Sequence, residues 1–384
     1  MKIVKAKIYV LKIPFNFPFG HFLKIRIYSD SIIVELVTDT GLRGYGEGIA
    51  RPYVTGETVK ESIKHIKEVL LPAIMHKDIQ NIETNQNPLR ALSYINDYFP
   101  NMSSSGVIAW NASRTAVELA IIDSILKNQQ KSLNCILPAR SQIVTYTGVF
   151  SSENIRNTIE LAKRFKQAGL KYIKIKVGKN NDLERIAAVR DIMGQSASIR
   201  LDANGAFNIK KAIQFIKSIE KFNIDSIEQP IIRGDVTDLA AVKANSSIPI
   251  MADESIVTYD DAKKLIEHNA CDYFNLRISK CGGLYSALAI ADLAEQEGIK
   301  LQIGCHVGET AVLSAAGRHV AAYLSNVKFV EGSYSTLLLV EDIAQENIVF
   351  GNGGEAPVFT GYGLGINIQE EILKKYSKKV VSVL

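Results

Sequence analysis

YIKIKVG (residues 172–178) is a short apolar run in which Lys174 and Lys176 alternate with Ile173, Ile175 and Val177. Side chains alternate across a strand, so the lysines share one face and the apolar residues the other. Runs of the same grammar surround it: IVTYTGV (143–149), SIRLDAN (198–204), SIEQP (226–230), PIMADE (249–254), YFNLRIS (273–279), LQIGC (301–305) and KFVEG (328–332), with amphipathic helical stretches between them. Alternating β and α predicts a parallel sheet covered by helices. Eight such strands suit closure into a barrel better than an open sheet. The apolar face must meet the helices, so Lys174 and Lys176 point into the barrel.

Two interior ammonium groups are costly to desolvate unless carboxylates or a cofactor compensate them. A lone KIK also suits an edge strand with one wet face, and the ends of the following strands decide between the two. Asp202, Glu228 and Asp253 end the next three strands and Lys280 follows the one after, so the spacings from Lys176 onward are 26, 26, 25 and 27 residues. Each step is one βα unit, and five consecutive strands deliver charge to one rim. In such barrels the C-terminal rim is where active sites are built. Taken singly, each acidic residue also suits a turn or a helix cap. Together they offer oxygen ligands from rigid strand ends, as Mg²⁺ requires, and the absence of Cys or paired His from the set argues against zinc. A lysine beside a divalent cation is biased towards losing its proton.

The rest of the chain is read against this barrel. Its 384 residues suggest two domains, or one barrel with an attachment. The first ~125 residues read as strands followed by helices, an α+β module: a strand at 2–12, a second at about 23–38 and a Gly-rich turn and strand at 41–49. The expected division is 1–125 for this cap, 126–350 for the barrel, and 351–384 for a Gly-rich segment returning across the cap. Two loops, Pro14 to His21 and Arg51 to Gly56, carry Phe19, His21 and Tyr53; they either pack against a neighbour or close over a ligand.

Composition excludes several classes. Hydrophobic residues at 47% and charged residues at 22% are the balance of an ordinary globular protein. The net charge of +5 is spread along the chain, and its dense basic stretch, Lys374 to Lys379, follows Glu370 and Glu371, so nucleic-acid binding is not expected. Cys135, Cys271, Cys281 and Cys305 form no CxxC pair, which suits reduced thiols in a cytoplasm. The N-terminus lacks the unbroken apolar core of a signal peptide, and no run approaches the roughly 20 apolar residues that span a bilayer. Neither membrane nor nucleic-acid partners are expected, and a cytoplasmic homo-oligomer is.

KxK (174–176), DxN (202–204), IEQP (227–230), ADES (252–255) and KxGG (280–283), in this order and spacing, resemble the enolase superfamily. Within it the chain is similar to the muconate-lactonizing-enzyme subgroup of the mandelate racemase and muconate lactonizing enzyme family, the dipeptide epimerases included. The resemblance covers nearly the whole chain. It implies an α/β fold: a modified (β/α)8 TIM barrel of the (β/α)7β kind, under an N-terminal α+β capping domain. It also implies abstraction of a proton α to the carboxylate of a small-molecule substrate, giving an enolate that Mg²⁺, or Mn²⁺, stabilises. Asp202, Glu228 and Asp253 would hold the metal, with Lys176 and Lys280 as acid/base groups on opposite faces of the substrate and Lys174 assisting electrostatically. Asn204 would support the metal or the substrate, and Glu254 would orient a lysine.

Two lysines on opposite faces point to a racemase or epimerase acting on an amino-acid derivative or dipeptide. The alternatives are muconate-type cycloisomerisation and dehydration to o-succinylbenzoate, or a barrel that binds metal and ligand without catalysis. A Schiff-base aldolase or a phosphatase barrel would show other signals, such as phosphate-binding glycines near the last two strands. Two places depart from the pattern. Dipeptide epimerases carry Asp-x-Asp after the eighth strand, where this chain has Gly332 and Tyr334, although Glu331 is placed to receive a cation. His306 stands where relatives more often have Met, and suits acid/base work, a substrate hydrogen bond or a structural one. Glu309 suits a substrate-facing or supporting place.

Overall fold

The computed structural model describes residues 1–20, 25–84, 86–100, 106–151, 154–179 and 181–383. The chain opens with β1 (Ile3–Leu11), β2 (Pro14–Gly20), β3 (Ile25–Tyr28), β4 (Ile32–Thr38) and β5 (Arg43–Gly48). Two expectations are corrected here. Most of the aromatic loop at 14–21 is strand β2, which forms a hairpin with β3 whose register shifts between Pro14 and Phe19; a two-stranded hairpin tolerates proline where a central strand does not. Where one strand was expected at 23–38, the described residues form two, β3 and β4, because Ser29 and Ser31 turn back to hydrogen-bond Ile13 and Leu11.

β5 is held by the helix Asn111–Asn128, almost all of which is buried. Gly44, Gly46 and Gly48 meet Ala120, Ala116 and Ala112 across that contact, and a Cβ on Gly46 would lie 2.1 Å from the Ala116 carbonyl oxygen. Alternate glycines on a strand thus match alanines four residues apart on a helix, so the two backbones touch.

IVTYTGV divides in two: β6 (Ile143–Thr145) pairs antiparallel with β15 (Glu355–Pro357), and β7 (Gly148–Phe150) opens the parallel sheet. β8 (Tyr172–Lys176), β9 (Ser198–Asp202), β10 (Ser226–Glu228), β11 (Ile250–Ala252), β12 (Tyr273–Leu276), β13 (Lys300–Ile303) and β14 (Val327–Val330) follow, each beside its predecessor. The Thr147 N–H donates to the Val330 carbonyl at 2.9 Å and joins the two ends of the sheet. A helix covers every step, from Ile155–Gln167 after β7 to Ala311–Tyr323 after β13, which makes the (β/α)7β barrel. β16 (Ser377–Val383) returns to pair with β1 and completes the cap sheet in the order β16-β1-β4-β5.

The cap rests on the C-terminal rim. The Ser29 hydroxyl donates to the Gly308 carbonyl (2.6 Å), the Arg51 guanidinium to the Val307 carbonyl (3.0 Å), the Ile49 N–H to the Ser279 hydroxyl (2.8 Å) and the Thr310 N–H to Glu47 (2.9 Å). Among the described residues no helix is long and apolar enough to cross a membrane.

Candidate active site

Period-two alternation sends Lys174 and Lys176 of β8, Arg200 and Asp202 of β9, Glu228 of β10, Asn275 of β12 and Gln302 of β13 into the barrel. Lys174 is 3% exposed, and Asp202, Glu228, Asp253 and Lys280 are wholly buried. Beneath the charges, Met251, Tyr273 and Phe329 pack with Tyr172 as an apolar plug. Arg200 lies 4.2 Å above the Phe329 ring, a cation–π contact.

The carboxylates stand side by side. Glu228 is directly opposite Asp202 in the β9–β10 register, and Asp253 follows β11. Gln229 braces them: its side-chain oxygen accepts from the Asp253 and Ser255 N–H groups at 2.9 and 3.0 Å. Lys176 Nζ reaches Asp202 (3.0 Å) and Asn204 (2.9 Å). Lys174 Nζ reaches Asp202 (3.1 Å), Glu228 (3.1 Å) and Glu331 (2.9 Å). On the far side, Lys280 Nζ donates to Asp253 Oδ1 (3.0 Å), the Asp253 carbonyl (2.6 Å) and the Asn275 carbonyl (2.8 Å). The two lysines therefore flank the row, Lys176 at Asp202 and Lys280 at Asp253, with Glu228 between.

Lys280 is fixed by the glycines of KCGG and the helix Asn111–Asn128. Asn111 donates to the Lys280 carbonyl (2.5 Å), and Glu118 accepts from the Leu284 and Tyr285 N–H groups that open the next helix. Gly283, at φ +107°, leaves no room for more: a Cβ there would lie 1.8 Å from the Glu118 carboxylate.

The lysines differ electrostatically. Complete burial brings Lys280 down to about 8. Burial works the same way on Lys174, but the attraction of Asp202, Glu228 and Glu331 outweighs it and holds that amine well above its ordinary value. Asp202 is likewise held far below the carboxylate range, because Lys174, Lys176 and Arg277 overcome its burial. Glu254 is raised to about 7 by burial and then by repulsion from Asp202 and Glu228.

Other predicted residues fall differently. Glu254 accepts from Asn204 (3.2 Å), where a lysine was expected, and its second oxygen is buried without a partner among the described residues. Glu331 receives the expected cation, but from within: Lys174 on one oxygen and Arg200 (3.2 Å) on the other. The His306 N–H donates to Glu309 (3.1 Å), whose other oxygen accepts from Ser314. The His306 ring is buried, its Nε2 has no partner among the described residues, and burial followed by the fields of Arg277, Arg51, Lys280 and Arg26 holds it well below its ordinary value. A cavity of about 10 Å³ beside Glu309 and Glu331 has room for about one water and none for a substrate. Phe19 is part-buried on β2 and Tyr53 is exposed on the cap; His21 lies outside the described residues.

Sequence reasoning missed Arg277, which contacts Asp253 and approaches Glu228 to 3.9 Å, and Arg200. The signal was present: each lies two residues from another inward side chain, Asn275 and Asp202.

Among the described residues no three His, Cys, Asp or Glu side chains are gathered as a metal site; Asp202, Glu228 and Asp253 are turned onto the cations. The donor set fits a hard divalent cation nonetheless. All three supply oxygen from adjacent strand ends, and a Glu254 oxygen with no partner among the described residues is buried within the field of Asp202 and Glu228.

The chain is similar to known proteins over its whole length. Residues 157–372 match the family described as Enolase C-terminal domain-like, and residues 5–137 the Mandelate racemase / muconate lactonizing enzyme, N-terminal domain. The chain is 32% identical to the N-succinyl-L-Arg/Lys racemase of Bacillus cereus over 98% of both chains. The crystal structure of that racemase superposes with a TM-score of 0.89 over 100% of both chains. The chain is 32% identical to the hydrophobic dipeptide epimerase of Enterococcus faecalis, covering 85% of this chain and 89% of that one. A dipeptide epimerase of Cytophaga hutchinsonii, solved with Mg and D-Ala-L-Val, superposes with a TM-score of 0.87 at 26% identity over 100% of both chains. With both halves matched and a barrel that carries charge from five consecutive strands to one rim, the chain belongs to the mandelate racemase/muconate lactonizing enzyme family of the enolase superfamily.

Proposed function

We propose that the protein racemises or epimerises N-acylated amino acids by a two-base 1,1-proton transfer at the carbon α to a carboxylate, with Mg²⁺ held by Asp202, Glu228 and Asp253. The observation that carries this is the placement of Lys176 and Lys280 at opposite ends of the carboxylate row. Mg²⁺, when bound, supplies positive charge against the second negative charge that the substrate carboxylate gains as its α-proton leaves. Lys280 Nζ, lowered to about 8, takes that proton on one face. Lys176 Nζ returns one to the other face, and the reverse reaction exchanges their roles. Lys174 keeps its proton and acts as fixed positive charge. The neutral His306 offers Nε2 as a hydrogen-bonding group to the substrate.

The N-acyl reading follows from the end of β14. A substrate ammonium needs a free carboxylate; Glu331 already holds Lys174 and Arg200, and its neighbours are Gly332 and Tyr334, whose hydroxyl donates to the Thr147 carbonyl. The test is incubation with Mg²⁺ in ²H₂O against N-acyl amino acids, free dipeptides and a succinylbenzoate precursor, with mass spectrometry for α-exchange. N-acyl substrates are expected to exchange and racemise, and free dipeptides to react at least about tenfold more slowly. Exchange confined to dipeptides, or dehydration of the precursor, would overturn it.

A further inference from the structure

Glu228 is gripped from both flanks of the barrel. On one side Lys174 of β8 donates to its two oxygens at 3.3 and 3.1 Å. On the other, the β12–β13 register places Asn275 beside Gln302. The Asn275 Nδ2 group donates to Glu228 Oε1 (2.8 Å) and the Gln302 Nε2 group to Oε2 (3.2 Å). Each oxygen of one carboxylate thus receives a neutral donor, and all three side chains are wholly buried.

Burying an amide in a barrel costs free energy that its hydrogen bonds must offset. The side-chain oxygens of Asn275 and Gln302 have no partner among the described residues, so the hydrogen bonding of both amides is directed at Glu228. A residue that only filled this space would be apolar, or would satisfy both ends of its amide. Gly304, just past β13, serves the same arrangement: a Cβ there would lie 2.1 Å from the Asn275 side-chain oxygen. Asn275 also accepts from Lys280 Nζ on its main-chain carbonyl (2.8 Å), so one residue joins the proposed base to the carboxylate.

We propose that Asn275 and Gln302 are positioning residues for the metal: they fix the carboxylate plane of Glu228 without adding positive charge that a dication would meet. The proposal rests on the metal reading above, and both amides act through Glu228 and not on the substrate.

The test is calorimetric titration with Mg²⁺ of the native protein, Gln302→Met, Asn275→Leu, Glu228→Gln and Met251→Leu, the last a volume-conserving change in the apolar plug. Loss of either donor is expected to weaken Mg²⁺ binding about 10- to 100-fold, and Met251→Leu to stay within about threefold of native. Raising Mg²⁺ to saturation is expected to bring α-exchange of an N-acyl amino acid by the two amide variants to within about threefold of the native rate. A general loss of packing would not be restored in this way. In the native protein, the Asn275 and Gln302 side-chain amide resonances are expected to move as Mg²⁺ is added, a reading that needs no variant to fold. If the native protein binds no Mg²⁺, or Glu228→Gln binds it as the native protein does, the metal reading fails and this proposal with it. If those controls hold, native-like affinity in either amide variant, an equal loss in Met251→Leu, or unmoved amide resonances overturns the proposal alone.

Discussion

Glu331 shows what a single residue does in this interior. One oxygen accepts Lys174 and the other Arg200, so the carboxylate ties the β8 and β9 cations to β14. Glu331→Gln leaves both cations buried with less compensation, and removing one partner of a buried pair costs about 3–5 kcal/mol. Urea denaturation of the variant checks this; a loss below about 1 kcal/mol would show that the remaining carboxylates carry the charge. At this scale the sequence was readable wherever strand alternation applied. Lys174, Lys176 and the three acidic strand ends stand out because their charges recur in apolar runs at steps of one βα unit. Arg200 obeys the same alternation, but its partner Glu331 lies 131 residues away in the chain; Arg277 lies one residue beyond the end of its strand. The turn of Glu254 towards Asn204 depends on side-chain rotamers, which spacing does not encode.

Elements position these residues, and the helix Asn111–Asn128 does so for Lys280 through Asn111 and Glu118. Glu118 is wholly buried, and burial raises it to about 7 despite the two N–H groups it accepts. A carboxyl whose folded value lies above its unfolded one favours the fold at low pH, and that contribution is lost as pH rises from about 4.5 to about 7. Glu118→Gln is therefore expected to flatten the decline in stability across that window, by on the order of 3 kcal/mol at most. Denaturation of both proteins at several pH values decides this, and parallel curves would contradict it. The barrel strands were legible because strands buried on both faces are near-continuous apolar runs. The cap was less so: prolines that usually mark loops lie within β2, where a hairpin accommodates them, whereas the Gly-rich strand expected at 41–49 is β5.

The whole molecule places one surface over another. The cap meets the barrel at residues 279 and 307–310, beside Lys280 and His306, and Arg51 links Asp30 of the cap to Val307 of the barrel. On the proposed function, a substrate carboxylate at the rim beneath the cap would present one face of its α-carbon to each lysine, and the account stands on both lysines reaching that carbon. The direct measurement is α-hydrogen exchange of single enantiomers in ²H₂O by Lys176→Ala and Lys280→Ala. The account predicts that each variant is nearly inactive in racemisation yet exchanges one enantiomer: Lys176→Ala the one whose α-hydrogen faces Lys280, and Lys280→Ala the opposite one. Loss of exchange with both enantiomers in only one variant would contradict it and leave a single base, as in a cycloisomerase or dehydratase.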